Sequence, residues 1–109
     1  MRRMISEERA EKALRFLVDT DERAAVAKGE VERAEFAFKR TREAIFSHAN
    51  GTVAERQAAA AQHAKTVEAH DAYVEALKAY AFVANKRDTE RIVLDVFRTL
   101  CANKRQGTV

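Results

Sequence analysis

Apolar residues recur every seven positions along the first half of the chain, and a second row follows three positions behind the first. This spacing places both rows on one face of an α-helix, at the a and d positions of a coiled coil. We therefore predict a helix over about 7–49, with Ser6 as its N-cap. The two rows are Ala10, Leu17, Ala24, Val31, Phe38 and Ile45, and Ala13, Thr20, Ala27, Ala34, Thr41 and His48.

A helix stop and a helix start follow each other directly after this segment. Asn50 and Gly51 can both adopt the left-handed conformation that ends helices, and Thr52 and Glu55 have the spacing of a capping box. Because so few residues connect the two helices, the helices must run antiparallel. The sequence thus predicts a long helical hairpin that turns at Asn50-Gly51-Thr52.

The second arm of the hairpin repeats the sevenfold pattern and then loses it. Continued to the C-terminus, its rows fall on charged residues, while the apolar residues move to other positions. We therefore predict a break at 85–88 between a helix over 53–86 and a third helix over 89–104, with one bent helix as the alternative. The rows are Val53, Ala60, Val67, Val74 and Ala81, and Arg56, His63, His70, Leu77 and Ala84, with a separate stripe at Tyr73, Ala76, Tyr80 and Val83.

These elements define an all-α fold for a single domain over 1–109. We predict a long antiparallel helical hairpin plus a shorter third C-terminal helix, with coiled-coil-like packing throughout. The third helix would pack beside the parts of the hairpin nearest the termini, giving a three-helix base and a two-helix shaft. Two helices alone leave one side of each exposed, which predicts a homodimer or another protein partner that covers this surface.

The residue types argue against enzyme chemistry. The chain has no Gly-x-Ser-x-Gly motif, no phosphate-binding glycine loop and one cysteine, Cys101, at helical spacing from apolar neighbours. His63 and His70 are seven positions apart, about 10 Å along a helix, so one metal ion cannot bind both directly. We predict a non-enzymatic protein with no cofactor and no metal. A metal-binding bundle that uses His48, His63, His70 or glutamates is the weakest alternative.

The charge is distributed unevenly along the chain. Residues 1–15 and 86–105, which the hairpin brings to the same end, hold eleven basic and six acidic residues, whereas 16–85 hold nine basic and eleven acidic ones. A locally positive end attracts phosphate backbones, and hence DNA or RNA, or an acidic protein surface. The candidate binding residues are Arg2, Arg3, Arg87, Arg91, Arg98, Lys104 and Arg105.

Nothing in the sequence points to a membrane. The N-terminal Met1-Arg2-Arg3-Met4-Ile5 is followed by Ser6-Glu7-Glu8 and not by an apolar run, so no signal peptide is predicted. No segment approaches the ~20 apolar residues of a membrane span. These features favour a soluble cytoplasmic protein without a membrane partner.

The segment from Lys86 to Leu100, KRDTERIVLDVFRTL, resembles the C-terminal part of small all-helical phage and prophage accessory proteins. The resemblance implies an accessory factor that aids recombination or replication, or that inhibits a host system. Our first hypothesis is accordingly a helical binding protein that engages nucleic acid, or a nucleic-acid-handling complex, through its basic end. The alternative is a protein–protein interaction module or inhibitor of a host protein, which acts as a helical homodimer without nucleic-acid contact.

Overall fold

The structure, a computed structural model, describes residues 5–107. It contains three α-helices: α1 (Glu7–His48), α2 (Val53–Gln62) and α3 (Ala64–Arg105). Helices account for 91% of this part of the chain, and it holds no strand. The predicted all-α hairpin fold is therefore confirmed, although two helix boundaries differ from those predicted.

Local capping signals in the sequence act as predicted. The Ser6 hydroxyl accepts a hydrogen bond from the Arg9 backbone N–H at 3.0 Å, which caps α1. Gly51 adopts φ +111°, where an added Cβ would lie 3.1–3.2 Å from Glu55 side-chain atoms. Thr52 and Glu55 form a reciprocal capping box at the start of α2. The turn is thus specified by adjacent residues alone.

The chain divides into two compact units. Unit 1 comprises 5–24 and 82–107 of the described chain, and unit 2 comprises Ala25–Ala81. In unit 1 the first part of α1 packs antiparallel on the last part of α3. In unit 2 the remainder of α1 packs antiparallel on α2 and the first part of α3. Each unit therefore contains its own interface between antiparallel helical segments.

The rows predicted for α1 form its interface. Ala10, Ala13 and Thr20 are buried, and the other members of both rows are half-buried, except His48, which is exposed. Small side chains at Ala10 and Ala13 allow the α3 backbone to approach closely, and Val83 of α3 is buried in the same unit. The sevenfold pattern of α1 was therefore sufficient to identify its packed face.

The two sevenfold rows predicted for α3 are wrong by one residue, whereas the separate stripe predicted at Tyr73, Ala76, Tyr80 and Val83 is buried or half-buried and belongs to the packed face. Val67 and Leu77, which were placed on the packed face, are exposed, whereas Thr66 and Val83 are buried. The packed row, which we call the seam, alternates spacings of three and four, as coiled-coil a and d positions do, and every member is buried or half-buried. The seam comprises Thr66, Ala69, Tyr73, Ala76, Tyr80, Val83, Arg87, Glu90, Leu94, Phe97 and Cys101.

The predicted break at 85–88 is also wrong, because α3 runs without interruption from Ala64 to Arg105. The apolar periodicity of the sequence is interrupted there because two charged residues, Arg87 and Glu90, occupy seam positions and are buried. When these two residues are assigned to the packed interface, the seam continues through the predicted break. The separate helix over 89–104 and the three-helix base are corrected with it: unit 1 contains two helical segments within its described residues.

The helix break lies instead at His63, which has the extended angles φ −63° and ψ 138°. Its ring Nδ1 accepts a hydrogen bond from the Lys65 backbone N–H at 3.0 Å, so His63 is the N-cap of α3. Thr66 lies three residues later, and its buried hydroxyl has no partner in the described chain. The hydroxyls of Thr20 and Thr41 donate to carbonyls four residues earlier. The corresponding carbonyl for Thr66 lies on the other side of the break.

We expect His63→Ala to lower the free energy of unfolding by about 1 kcal/mol, because alanine cannot accept the Lys65 N–H bond. His63→Asp restores a side-chain acceptor at the N-cap, and it should stay within a few tenths of a kcal/mol of the wild type. Urea unfolding followed by circular dichroism measures both. Gln62→Ala, an exposed change one residue earlier, is the control. Equal stability of the alanine and aspartate variants at position 63 would contradict the capping role.

Candidate functional site

Arg87 is the centre of a buried polar cluster in unit 1. One guanidinium nitrogen donates to the Leu17 carbonyl and to the Thr20 hydroxyl, both at 2.7 Å. The other nitrogen contacts the Asp21 carboxylate at 3.3 Å. Thr20 in turn donates to the Phe16 carbonyl at 2.7 Å, so its hydroxyl is used as donor and as acceptor. The cluster links α3 to one specific turn of α1.

A second polar pair lies one turn further along α3. The Arg9 guanidinium contacts both Glu90 oxygens, at 2.8 and 2.7 Å, and the Glu90 side chain is only 12% exposed. The hydrogen bond from Arg9 lowers the pKa of Glu90, burial acts in the opposite direction, and the positive charges of Arg9 and Lys86 lower the pKa further. The same hydrogen bond raises the pKa of Arg9. The carboxylate is thus held in its charged form.

This pair predicts an acid-dependent loss of stability. Because folding lowers the pKa of Glu90, its contribution is fully present above the ordinary pKa of a glutamate and is lost as the pH falls through the lower, folded-state pKa. We expect the free energy of unfolding to decline below about pH 5 in the wild type and to decline less steeply in Glu90→Gln. Denaturant titrations from neutral pH into this range measure the slope. Glu22→Gln, an exposed change in the same unit, controls for the loss of one carboxylate.

The structure describes five of the seven predicted binding residues, and these five differ in burial and in their partners. Arg2 and Arg3 lie outside the described residues, and the donors of Arg87 are engaged inside unit 1. Arg91 pairs with Asp88 at 2.8 Å, and Arg98 pairs more loosely with Asp95 at 3.7 Å. The remaining two, Lys104 and Arg105, are exposed in the last turn of α3. The buried Arg87 is therefore a structural residue and not a surface contact.

The most distinctive surface of unit 1 is one that the sequence reading missed. We call it the outer face of α3. Phe82 is 77% exposed and Ile92 is 62% exposed, and three further apolar residues on this face are half-buried. Between 82 and 103, all within the described chain, the face carries one charged residue, Lys86. Its principal members are Phe82, Lys86, Ile92, Val93, Val96 and Leu100.

The charged residues of this stretch lie on the opposite flank of the helix. Asp88, Arg91, Asp95 and Arg98 follow each other at spacings of three and four, which places them along one side. Lys86 lies at the edge of the outer face, where its ammonium is 5.1 Å from the centre of the Phe16 ring of α1. Charge and apolar surface are thus separated around the helix. If Arg87 had been assigned to the seam, the separation of charged and apolar residues around α3 would have been visible in the sequence.

In unit 2 the largest aromatic cluster surrounds Phe38. The His70 ring meets it edge-on at 5.2 Å, the Tyr73 ring lies 6.2 Å away, and the Arg42 guanidinium is 5.0 Å from the ring centre. The Tyr73 hydroxyl donates to Glu35 at 3.2 Å. Burial, together with the Glu35 charge and hydrogen bond, raises the pKa of Tyr73. These contacts join α1 to α3 within unit 2.

The histidines have separate structural surroundings. His63 caps α3, His70 packs on Phe38, and the His48 ring lies 2.9 Å from the Ala44 carbonyl. Within residues 5–107, no group of three or more His, Cys, Asp or Glu side chains is placed to hold a metal ion. Cys101 is a half-buried free thiol in the seam.

No protein-family model, curated protein or solved structure matches this chain. The predicted resemblance to phage accessory proteins therefore stays a prediction. Across residues 5–107, no helix combines the length and the apolar character needed to cross a membrane.

Proposed function

We propose that this protein is a non-enzymatic helical interaction module that works by self-association. One observation carries the proposal. No large side chain is fully buried in the described chain, while nine large apolar side chains are between 39% and 77% exposed. Two packed helices cannot cover more than one face of each other, so these side chains remain in contact with water.

The buried core supports the same conclusion. It consists of Ala10, Ala13, Ala60 and Val83, accompanied by four buried polar or charged residues. Small side chains contribute little hydrophobic stabilisation, whereas fully burying one exposed Val, Leu, Ile or Phe contributes roughly 1.5–3 kcal/mol. A second helical layer would therefore add substantial stability to a chain that cannot obtain it alone.

Sedimentation equilibrium and light scattering over a wide concentration range test this function. We expect a reversible dimer and a melting temperature that rises with protein concentration, because association stabilises the folded state by mass action. A chain that stays monomeric at the highest concentrations, with a concentration-independent melting temperature, would reject the proposal.

Nucleic-acid binding is the second candidate function. The phage accessory role and the cytoplasmic location predicted from the sequence accompany this candidate. The observation that favours it is the charge of unit 1. Met1–Ala24 and Phe82–Val109 together hold twelve basic and nine acidic residues, whereas unit 2 holds eight of each. The exposed Lys104 and Arg105, in the last turn of α3, are the best-placed groups for a phosphate.

Fluorescence anisotropy with short DNA and RNA duplexes tests this second function. Binding should weaken steeply as salt rises, because phosphate contacts release counterions. Lys104→Glu combined with Arg105→Glu should weaken it further, with Lys78→Glu in the neutral unit 2 as the control. No binding at low salt would reject direct contact.

A further inference from the structure

We infer that the outer face of α3 is the surface through which two copies of this chain associate, antiparallel, about a twofold axis near Ile92. The inference rests on the proposed self-association and goes beyond it, because it specifies which face, which partner and which orientation.

The face is long and continuous. From Phe82 to Leu100 it spans nineteen residues, or roughly 27 Å of helix. The row Phe82, Lys86, Thr89, Val93, Val96 and Leu100 has spacings of three and four, so it forms one stripe of the kind that a second helix covers, and Ile92 lies directly beside it. A stripe of one helix is smaller than the ~800 Å² per partner of a standard interface. We therefore expect a reversible dimer and not a permanent one.

The single charge on the face selects the partner and the orientation. A second copy brings an equally uncharged surface, so neither copy has to desolvate more than Lys86. In an antiparallel pair, Phe82 lies beside Leu100 of the partner copy, and Lys86 lies beside Val96. The two lysines are then ten residues apart along the helices, about 15 Å, which exceeds the Debye length of ~8 Å at physiological salt. A parallel pair would place them side by side.

Four of the other exposed apolar residues, Leu14, Val18, Val67 and Leu77, lie among polar or charged side chains. In unit 1, Leu14 and Val18 share their side of α1 with Glu11 and Asp21 at positions one turn away. In unit 2, Val67 and Leu77 flank the exposed His70. A second copy that packed on either of these stripes would bury polar or charged groups without a hydrogen-bond or ion-pair partner.

We expect Ile92→Glu to weaken dimerisation at least 100-fold in sedimentation equilibrium. Near the twofold axis each copy would place its new carboxylate close to the other, in addition to losing an apolar contact. Because Ile92 is largely exposed in the single chain, the variant should keep the helix content of the wild type. Val18→Glu is the matched control: the residue is 68% exposed in the same unit, outside the outer face. It should dimerise like the wild type.

Cysteine cross-linking gives an independent readout of the axis. In a Cys101→Ala background, Ile92→Cys should form a disulfide-linked dimer on mild oxidation, because equivalent residues meet at a twofold axis. Val18→Cys in the same background should remain monomeric on a non-reducing gel.

The outcomes separate the inference from the function on which it rests. If the wild type dimerises but Ile92→Glu dimerises equally well and Ile92→Cys does not cross-link, the outer face is overturned and self-association stands. If the wild type is monomeric at every concentration, both the outer-face inference and the proposed self-association are rejected. A monomer whose binding to phosphatidylglycerol vesicles is abolished by Ile92→Glu would overturn the inference in favour of a lipid surface.

Discussion

Replacing Ala13 with aspartate should disrupt the packing of unit 1, with a loss of more than about 3 kcal/mol in unfolding free energy. Ala13 is 0% exposed in the interface between α1 and α3. An aspartate there would bring a carboxylate into a space sized for a methyl group. Neighbouring donors are already engaged, since Arg9 binds Glu90 and Arg87 binds Thr20. The new charge would therefore be buried without a partner.

Urea unfolding followed by circular dichroism measures this loss, and amide hydrogen exchange shows which unit is destabilised. The exchange protection of unit 1 should drop more than that of unit 2. Ala25→Asp, the same chemical change at an exposed position of α1, should cost less than about 1 kcal/mol through helix propensity alone. Similar stability of the two variants would show that α1 and α3 do not pack closely at Ala13.

Replacing Arg87 with alanine should be much more destabilising than replacing it with methionine. Arg87→Ala removes the buried side-chain stem and the hydrogen bonds to Leu17 and Thr20, which should cost roughly 2–4 kcal/mol. Arg87→Met keeps most of the volume and removes a charge whose burial is itself costly, so its stability should stay within about 1 kcal/mol of the wild type. The Asp21 partner is largely exposed and tolerates the loss of the cation.

The two variants are compared by chemical unfolding at neutral pH. Arg91→Ala is the control, because its pair with Asp88 lies at the surface, where ion pairs contribute less than about 1 kcal/mol. If methionine at position 87 destabilised as much as alanine, the charge itself would hold unit 1 together. We expect instead that Arg87 acts mainly by filling the seam and by fixing which turn of α1 lies opposite.

The features that the sequence predicted correctly are those that depend on neighbouring residues. Ser6 caps α1 through a residue three positions later, and Thr52 and Glu55 cap α2 reciprocally. The α1 interface was also predictable, because its two rows are apolar or small and have no competing stripe. No non-local information is needed for either feature.

The α3 interface could not be read in the same way, because α3 carries two apolar rows one residue apart. Val67, Val74 and Leu77 continue the pattern of α2, whereas Tyr73 and Tyr80 belong to the seam. Periodicity alone favours the wrong row. Only the contacts with α1, which come from residues distant in sequence, distinguish the two.

The candidate surface was missed for a related reason. Treating every arginine as exposed placed Arg87 among the binding residues, although Thr20 and Leu17 surround it. This error shifted the predicted packed face of α3 and hid the stripe from Phe82 to Leu100, whose single charged residue is Lys86. Charge separation around one helix becomes visible only after the buried charges, Arg87 and Glu90, are assigned to the interior.

The break at His63 also shows that the chain is one residue short of a regular repeat. Ala60 and Thr66 are buried six positions apart, where an uninterrupted coiled coil requires seven. Inserting a single alanine beside His63 would restore that spacing, let α2 and α3 fuse into one helix, and offer the Thr66 hydroxyl a carbonyl four residues earlier. The non-helical residue at His63 therefore accommodates a spacing of six between two buried positions, and it sets the helical phase of the first part of α3 relative to α2.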